Sequence, residues 1–238
     1  GSVVRGQMVF AIHRGGIGLR AVLAAAVDCR TGLGRDERAV GAVHGGELSI
    51  GDSTIEDYPC FGGGGPFHMY VKGGTVNSYG RCYLPRQSSG HTASAILTID
   101  GEDAVVDFND NTVYMGGGKR TNGDGPAKAI LNINAGVLKA DSIGRYPSQI
   151  DDTVQRAYVN FNGGTYVLQG GTSFGVANGY PTVPNRITIF EGGAAIDTHG
   201  INNAHCTAPL CGPTGNSVVS VAIPAAIASR EFISPPNI

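Results

Sequence analysis

Two adjacent carboxylates and one of the histidines are the candidates for catalysis in this 238-residue chain. Asp151 and Asp152 are adjacent, and His199 follows later in the sequence Asp197-Thr198-His199-Gly200. Two carboxylates that flank a glycosidic bond can hydrolyse it, and a histidine can transfer protons near neutral pH. Because charged residues in loops are usually only solvated surface, we interpret Asp151 and Asp152 as loop residues and His199 as a turn residue. Catalysis by these three residues is the alternative.

Charged and aromatic side chains also occur in long insertions at 77–95, 116–128, 140–157 and 168–186. Loops commonly carry the binding residues of a rigid fold. If the insertions leave the fold at one corner, their side chains form a single surface, which we call the loop wall. An arginine there could bind a carboxylate with two hydrogen bonds, and a tyrosine could pack on a sugar ring. The candidate ligand-binding residues are Lys119, Arg120, Asp124, Arg145, Tyr146, Asp151 and Asp152.

The five cysteines include two candidate disulfides. Cys206 and Cys211 are close together in the sequence, and we expect them to close a small disulfide loop. The interval between Cys60 and Cys82 is close to one repeat of the pattern described below, so they could face each other across adjacent strands. The odd count leaves at least one thiol unpaired, and we expect this to be Cys29.

A zinc site is the rival interpretation of the C-terminal cysteines. Its ligands would be His205, Cys206 and Cys211, with His199 as a fourth. No Cys-x-x-Cys pair supports this set. We therefore predict no metal ion and no other cofactor.

Charge and hydropathy restrict the possible partners. The net charge is −2, only 15% of residues are charged, and the sequence has no basic run. This composition argues against nucleic acid or an anionic membrane surface as the main partner. No apolar run reaches the roughly 18–20 residues that span a bilayer, so no membrane insertion is predicted for this segment.

The elements that must position these residues follow one repeated phrase, in which apolar and polar residues alternate and glycine follows. Strict alternation indicates a β-strand. The second apolar residues of the phrase, Ile99, Ile133, Phe161 and Ile189, recur at an interval of about thirty positions, which is typical of repeat proteins. The four segments are Leu97–Gly101, Leu131–Gly136, Val159–Gly164 and Ile187–Gly193.

Further copies of the phrase extend toward the N-terminus. Met69–Gly74 places Val71 one such interval before Ile99, and Leu48–Gly51 places Ile50 a somewhat shorter interval before Val71. Phe10–Gly16 resembles the others but is too distant for one clean repeat.

The pattern predicts an all-β solenoid of stacked parallel strands, because one repeat cannot bury its apolar face alone. An antiparallel sandwich with a hairpin turn at each Gly-Gly is the alternative. We expect one inward column and a second beside it, and an outward row between them. The inward residues are Val71, Ile99, Ile133, Phe161 and Ile189, then Leu97, Leu131, Val159 and Ile187; the outward residues are Tyr70, Thr98, Asn132, Asn160 and Thr188.

The whole chain, 1–238, is interpreted as one solenoid domain. Apolar spacing over Ile17–Val27 predicts a short amphipathic helix, which we prefer to a signal peptide beginning at Met8. The helix and 1–45 would cover one end, 46–200 would form the repeats, and 201–238 would form a Pro-rich C-terminal end. Because the chain opens on Gly1-Ser2, we interpret it as a piece of a longer protein.

Over residues 97–200 the repeats resemble the autotransporter-associated β-strand repeat, most closely at Val159–Tyr166 and Gly192–Gly200. The resemblance implies a right-handed parallel β-helix, secreted or displayed on the bacterial cell surface. That family of repeats is a scaffold, so the resemblance implies no activity. We therefore expect an extracellular scaffold that binds a polysaccharide or cell-surface glycan through its loops.

A polysaccharide lyase or glycoside hydrolase acting on an acidic polysaccharide is the alternative function. The β-helix polygalacturonases use an Asp-Asp and a His-Gly pair, and both dipeptides occur here, at Asp151-Asp152 and His199-Gly200. No Arg-x-Lys follows His199, which leaves the match incomplete.

Overall fold

The structure, a computed structural model, describes residues 27–30, 39–50, 61, 66–80, 82–85, 93–116, 127–145, 155–170, 173–174, 184–201, 204–206, 208–214, 218–219 and 231–233. The regular secondary structure of these residues is all β. The predicted helix over 17–27 lies outside them, except for Val27, which begins a strand.

The strands are numbered in chain order. They are β1 (Val27–Arg30), β2 (Ala39–Val43), β3 (Glu47–Ile50), β4 (Pro66–Val71), β5 (Thr75–Ser78), β6 (Cys82–Leu84), β7 (Ala93–Ile99), β8 (Val105–Asp107), β9 (Thr112–Met115), β10 (Ala127–Ile133), β11 (Val137–Ala140), β12 (Ser142–Arg145), β13 (Gln155–Phe161), β14 (Thr165–Leu168), β15 (Ser173–Phe174), β16 (Arg186–Ile189), β17 (Ala194–Asp197), β18 (His205–Cys206), β19 (Leu210–Cys211), β20 (Val218–Val219) and β21 (Glu231–Ile233).

From β2 to β19, successive strands belong to different sheets and the chain returns to each sheet one circuit later, so the fold is a parallel β-helix, and its sense is right-handed. A nine-stranded sheet has the order β1-β2-β4-β7-β10-β13-β16-β19-β20, and a seven-stranded sheet has the order β21-β17-β14-β11-β8-β5-β3. A three-stranded sheet, β12-β9-β6, and the pair β15-β18 form the third side. Each circuit therefore crosses the first sheet, turns a corner, crosses the second and returns. The predicted solenoid is confirmed.

Both predicted apolar columns are confirmed. Val71, Ile99, Ile133, Phe161 and Ile189 lie opposite one another on adjacent strands, and all are buried. The same holds for Leu97, Leu131, Val159 and Ile187. The predicted outward row, from Tyr70 to Thr188, is also in register, but two of its residues, Thr98 and Thr188, are buried among their neighbours. The alternation of the sequence therefore reports the two faces of each strand.

The repeat that we placed at Leu48–Gly51 is assigned wrongly. Ile50 lies on β3 opposite Ser78, in the seven-stranded sheet. The residue opposite Val71 is Val43, so the circuit before Val71 has the same length as the circuit that follows it. Leu48–Gly51 has the same alternation as the other segments, but the corner at Gly45-Gly46 precedes it, so it belongs to the second side of its circuit.

Both ends of the nine-stranded sheet and one end of the seven-stranded sheet carry antiparallel strands. β1 pairs with β2, β20 pairs with β19, and β21 pairs with β17, all antiparallel. These three strands have four, two and three residues, and short edge strands limit further strand addition. Parallel pairing also continues past residue 200, where β19 lies beside β16.

The corner between the two large sheets brings backbone of adjacent circuits into contact. The N–H of Asp100 donates to the carbonyl of Val71 (2.9 Å), one circuit below. A Cβ at Gly101 would overlap the backbone carbonyl of Lys72. A Cβ at Gly45, in the equivalent corner, would meet nothing within 4 Å. Of these two glycines, only Gly101 is required for space.

Replacing Gly101 by Ala should destabilise the protein by about 1–3 kcal/mol, because the new methyl group must push apart two backbones. Gly45→Ala is the matched control and should change stability by no more than about 1 kcal/mol, toward higher stability. Urea unfolding followed by circular dichroism measures both. Equal midpoints for the two variants would contradict the close approach at Gly101.

Candidate functional site

Most of the loop wall lies outside the described residues. This applies to six of its residues, and their grouping into one surface stays a prediction. They are Lys119, Arg120, Asp124, Tyr146, Asp151 and Asp152.

Arg145 is not the exposed loop residue that we expected. It is the last residue of β12, only 8% exposed, and lies opposite Met115. Met115 in turn lies opposite Leu84, and both are buried. All four residues from Ser142 to Arg145 are buried. Buried and exposed positions therefore do not alternate along this strand, and the sequence has no period-2 pattern that would predict it. Arg145 belongs to the packed third side of the solenoid.

His199 lies in an exposed turn after β17. Its φ is +51°, and its N–H donates to Asp197 Oδ1 (2.8 Å). An Asp that accepts from the backbone two residues on forms a common local turn. This geometry accounts for Asp197 and His199 as turn residues. The catalytic alternative stays untested, since Asp151 and Asp152 lie outside the described residues.

The predicted disulfides are not formed. Cys206 and Cys211 have free thiols and lie on β18 and β19, strands of different sheets. The Cys206 thiol donates to the carbonyl of Ala208 (3.4 Å). Cys82 carries a buried thiol on β6 opposite Val113, so the predicted bridge to Cys60, which lies outside the described residues, is not formed either. The side chain of Cys29 also lies outside what the structure describes.

Burial raises the pKa of the Cys206 thiol to about 11, although the hydrogen bond to Ala208 acts in the opposite direction. Among the described residues, no three His, Cys, Asp or Glu side chains are placed to hold a metal ion. No helix in the same part of the chain is suited to crossing a bilayer.

The outer side of the nine-stranded sheet carries polar and charged side chains that lie in register on successive strands. We call it the ladder face. It consists of outward side chains of β4, β7, β10, β13 and β16 with Lys72 at the following corner. Its residues are His68, Tyr70, Lys72, Ile96, Thr98, Lys128, Ile130, Asn132, Arg156, Tyr158, Asn160, Arg186 and Thr188.

Hydrogen bonds link four of these residues into a chain that crosses the strands. Asn160 Nδ2 donates to Asn132 Oδ1 (2.8 Å), and Asn132 Nδ2 donates to Thr98 Oγ1 (3.0 Å). His68 Nε2 lies 3.0 Å from the same hydroxyl oxygen. The in-register stacking makes this possible, because it holds equivalent side chains one strand spacing apart. The amides and hydroxyls are thus held in fixed orientations.

Each end of this chain carries a tyrosine with a lysine above it. Lys72 Nζ lies 5.9 Å from the centre of the Tyr70 ring, and the His68 ring stacks on Tyr70 with 3.9 Å between ring centres. Lys128 Nζ lies 6.0 Å from the centre of the Tyr158 ring. Both tyrosines are half-buried, and both lysines are exposed. The rings are therefore held in place while the charges remain in solvent.

Cations dominate the charge of the ladder face. Lys72, Lys128 and Arg156 are exposed, and Arg156 lies directly opposite Lys128. Arg186 is used structurally, since its Nη2 donates to the carbonyls of Gly212 (2.8 Å) and Pro213 (3.3 Å). Lys128 and Arg156 make their end of the face attractive to anions. Lys72 follows Val71 as the exposed Asp100 follows Ile99, the partner of Val71, so the corner carries both signs of charge.

Three residues of the ladder face, Lys128, Arg156 and Tyr158, are not among the candidates named from the sequence. They alternate with Ala127, Ala129, Ala157 and Val159, which are buried, so the period-2 pattern that predicts Tyr70, Asn132 and Asn160 in the outward row applies to them as well.

A second polar cluster lies at the corner after β11. Asp141 is 7% exposed, and its Oδ2 accepts from Thr112 Oγ1 (3.2 Å), which also lies 2.9 Å from Ser142 Oγ. Burial raises the pKa of Asp141, and the charge of Asp110 adds to the increase, while the hydrogen bonds from Thr112 and Ser142 oppose it. Burial, with the charges of Asp141 and Cys206, also raises the pKa of Tyr166, whose hydroxyl donates to the carbonyl of Ala140 (3.1 Å).

No family model, no curated protein and no solved structure matches the chain. The fold alone therefore defines the class of protein, which is a parallel β-helix.

Replacing Asp141 by Asn should make the protein more stable than the unaltered chain at pH 7. The folded state holds the Asp141 proton more tightly than the unfolded state does, so stability is lost as pH rises above the ordinary value of 3.8. Asn accepts from Thr112 but cannot ionise, so the difference should shrink as pH falls below that value. Urea unfolding midpoints of the variant and of the unaltered protein, measured from below pH 3.8 up to pH 7, give this difference in stability. Asp103→Asn, at an exposed position, is the control. A constant difference at every pH would contradict the interpretation.

Proposed function

We propose that the protein is an extracellular or cell-surface β-helix scaffold that binds an acidic glycan on its ladder face. The observation that carries the proposal is the hydrogen-bonded row from His68 to Asn160, which has a tyrosine–lysine pair at each end. This site replaces the loop wall as the preferred binding surface.

The side chains suit the chemistry of an acidic sugar. Lysine and arginine form charge-assisted hydrogen bonds with carboxylates. The amide groups of Asn132 and Asn160 match sugar hydroxyls in hydrogen-bonding type. Thr98 is only 4% exposed and orients Asn132 from below, without facing a ligand itself. The two tyrosines offer flat apolar surface beside polar groups, and Ile96 and Ile130 are half-buried between them.

Rigidity supports binding by this face. The residues lie on strands whose register is set by the buried columns, and their amides are already bonded to one another. Binding to such a surface orders few side chains, so little of the interaction energy is lost as entropy. A glycan-binding scaffold also agrees with the sequence resemblance to repeats of surface-displayed bacterial proteins.

Lys128→Gln should weaken binding to polygalacturonate about tenfold at low salt, because it removes a cation while keeping a polar side chain of similar length. The loss should shrink at high salt, where charge attraction is screened. Isothermal titration calorimetry measures the affinity.

Lys139→Gln is the matched control, because Lys139 lies on the seven-stranded sheet and pairs with Asp107 (3.5 Å). The affinity of the Lys139→Gln variant for polygalacturonate should equal that of the unaltered protein. Equal losses for both variants would point to a general charge effect and contradict the proposed site. New reducing ends or unsaturated products in the same samples would favour the enzyme alternative instead.

A further inference from the structure

We infer that the ladder face has a single anion subsite, in which one acidic group of the glycan binds between Lys128 and Arg156 while the sugar that carries this group packs on Tyr158 and Ile130. The inference rests on the proposed function. It assigns the charged group of the ligand to one end of the face, and it requires only one acidic sugar.

Two cations face each other at the start of adjacent strands. Lys128 of β10 and Arg156 of β13 are paired in register, and both are exposed. Like charges directly opposite one another in a sheet are destabilising, and none of the residues that form the ladder face is an Asp or a Glu. On the other side of Lys128, the paired residue of β7 is the uncharged Ser94. An anionic group between the two cations relieves their repulsion and can accept hydrogen bonds from both.

An apolar floor lies next to the cations on the same outer side. Ile130 and Tyr158 are paired in register, two residues after Lys128 and Arg156, and both are half-buried. Two residues of a parallel strand span about 6.6 Å, and Lys128 Nζ lies 6.0 Å from the centre of the Tyr158 ring. A sugar packed on Tyr158 therefore brings its own carboxylate within reach of both cations.

Amide groups follow at the next outward position of the same two strands. Asn132 and Asn160 lie two residues beyond Ile130 and Tyr158, and Asn160 Nδ2 donates to Asn132 Oδ1 (2.8 Å). Asn132 Nδ2 donates to Thr98 Oγ1 (3.0 Å). Each amide has two N–H donors, and these bonds use one donor of each. The second donors suit the hydroxyl groups of a neutral sugar next to the acidic one.

The lysine at the opposite end of the strands does not provide a second anion subsite. Lys72 lies at the corner where the exposed Asp100 occupies the equivalent position of the next circuit. A Cβ at Gly73 would lie 3.1 Å from Asp103 Oδ1, so another carboxylate lies against the residue that follows Lys72. These carboxylates offset the charge of the lysine and repel an anion. The anionic group of the ligand is thus directed to the end where β10 and β13 begin.

Ligands that differ in charge and in length test this inference. Trigalacturonate, its neutral methyl ester and decagalacturonate are titrated into isotope-labelled protein at pH 7 and low salt, and the backbone amide shifts are followed by NMR. Trigalacturonate should shift the amides of β10 and β13 most, and the ester should bind at least about tenfold more weakly. Decagalacturonate should bind only about threefold more tightly than trigalacturonate, which is the ratio of their acidic sugars, because a single subsite gives no gain from simultaneous attachment.

Single substitutions test the location of the subsite. Lys128→Gln and Arg156→Gln should each weaken trigalacturonate binding about tenfold, and Tyr158→Ala should weaken it about fivefold, because the sugar loses its packing surface. Lys72→Gln makes the same change of charge at the other end of the face and should weaken binding no more than about twofold. Lys139→Gln, on the seven-stranded sheet, is the control and should leave binding unchanged. Circular dichroism confirms that all five variants are folded.

The failures can be told apart. If Lys72→Gln weakens trigalacturonate binding as much as Arg156→Gln does, or if decagalacturonate binds more than about tenfold more tightly than trigalacturonate, the single subsite is wrong although glycan binding stands. Equal binding of trigalacturonate and its methyl ester would also overturn the subsite, because the anionic group would then contribute nothing. If neither galacturonate binds, both the subsite and the proposed function are overturned.

Discussion

The rest of the structure depends on the in-register stacking of parallel strands from successive circuits. Val43, Val71 and Ile99 follow one another at steps of one circuit and meet in one buried column. Backbone hydrogen bonds continue the stack around the corner, where the N–H of Lys72 donates to the carbonyl of Val43 (2.7 Å). Each strand of the stack pairs with the equivalent strands of the neighbouring circuits, so the core is continuous only because every circuit keeps the same register.

The same register explains which parts of the fold could be predicted from the sequence. Long strands of the nine-stranded sheet have one buried and one outer face, so Leu131 and Ile133 could be placed inside and Asn132 outside from alternation alone. The third side has no such signal, since β12 is buried throughout and Arg145 resembles a loop residue. Ile50 was misplaced because its local phrase is the same in both sheets, and only its pairing partner in the seven-stranded sheet distinguishes them.

The candidate site could be predicted less well, for a related reason. Cys206 and Cys211 are near in sequence, yet the corner between them sends them to different sheets. Lys128 and Tyr158 are more than a full circuit apart in sequence. Tyr158 lies two residues after Arg156, the partner of Lys128 on the adjacent strand, so the ammonium group reaches diagonally over the ring. In a solenoid, two residues that are close in sequence can lie on different sheets. Two residues separated by about the length of one circuit lie on adjacent strands and are the ones to expect in contact.

Alternation also separates stability from recognition within each strand. Asn160 lies between Val159 and Phe161, which are buried in the two columns, and its own amide lies on the ladder face. A change on the outer row leaves the columns filled, so the face can vary in charge without loss of the core. The corner at Gly101 has no such freedom, because the backbone of Lys72 lies against that glycine. The scaffold is thus constrained at its columns and at this corner, whereas the outer-row positions that reach solvent can vary and can meet a ligand.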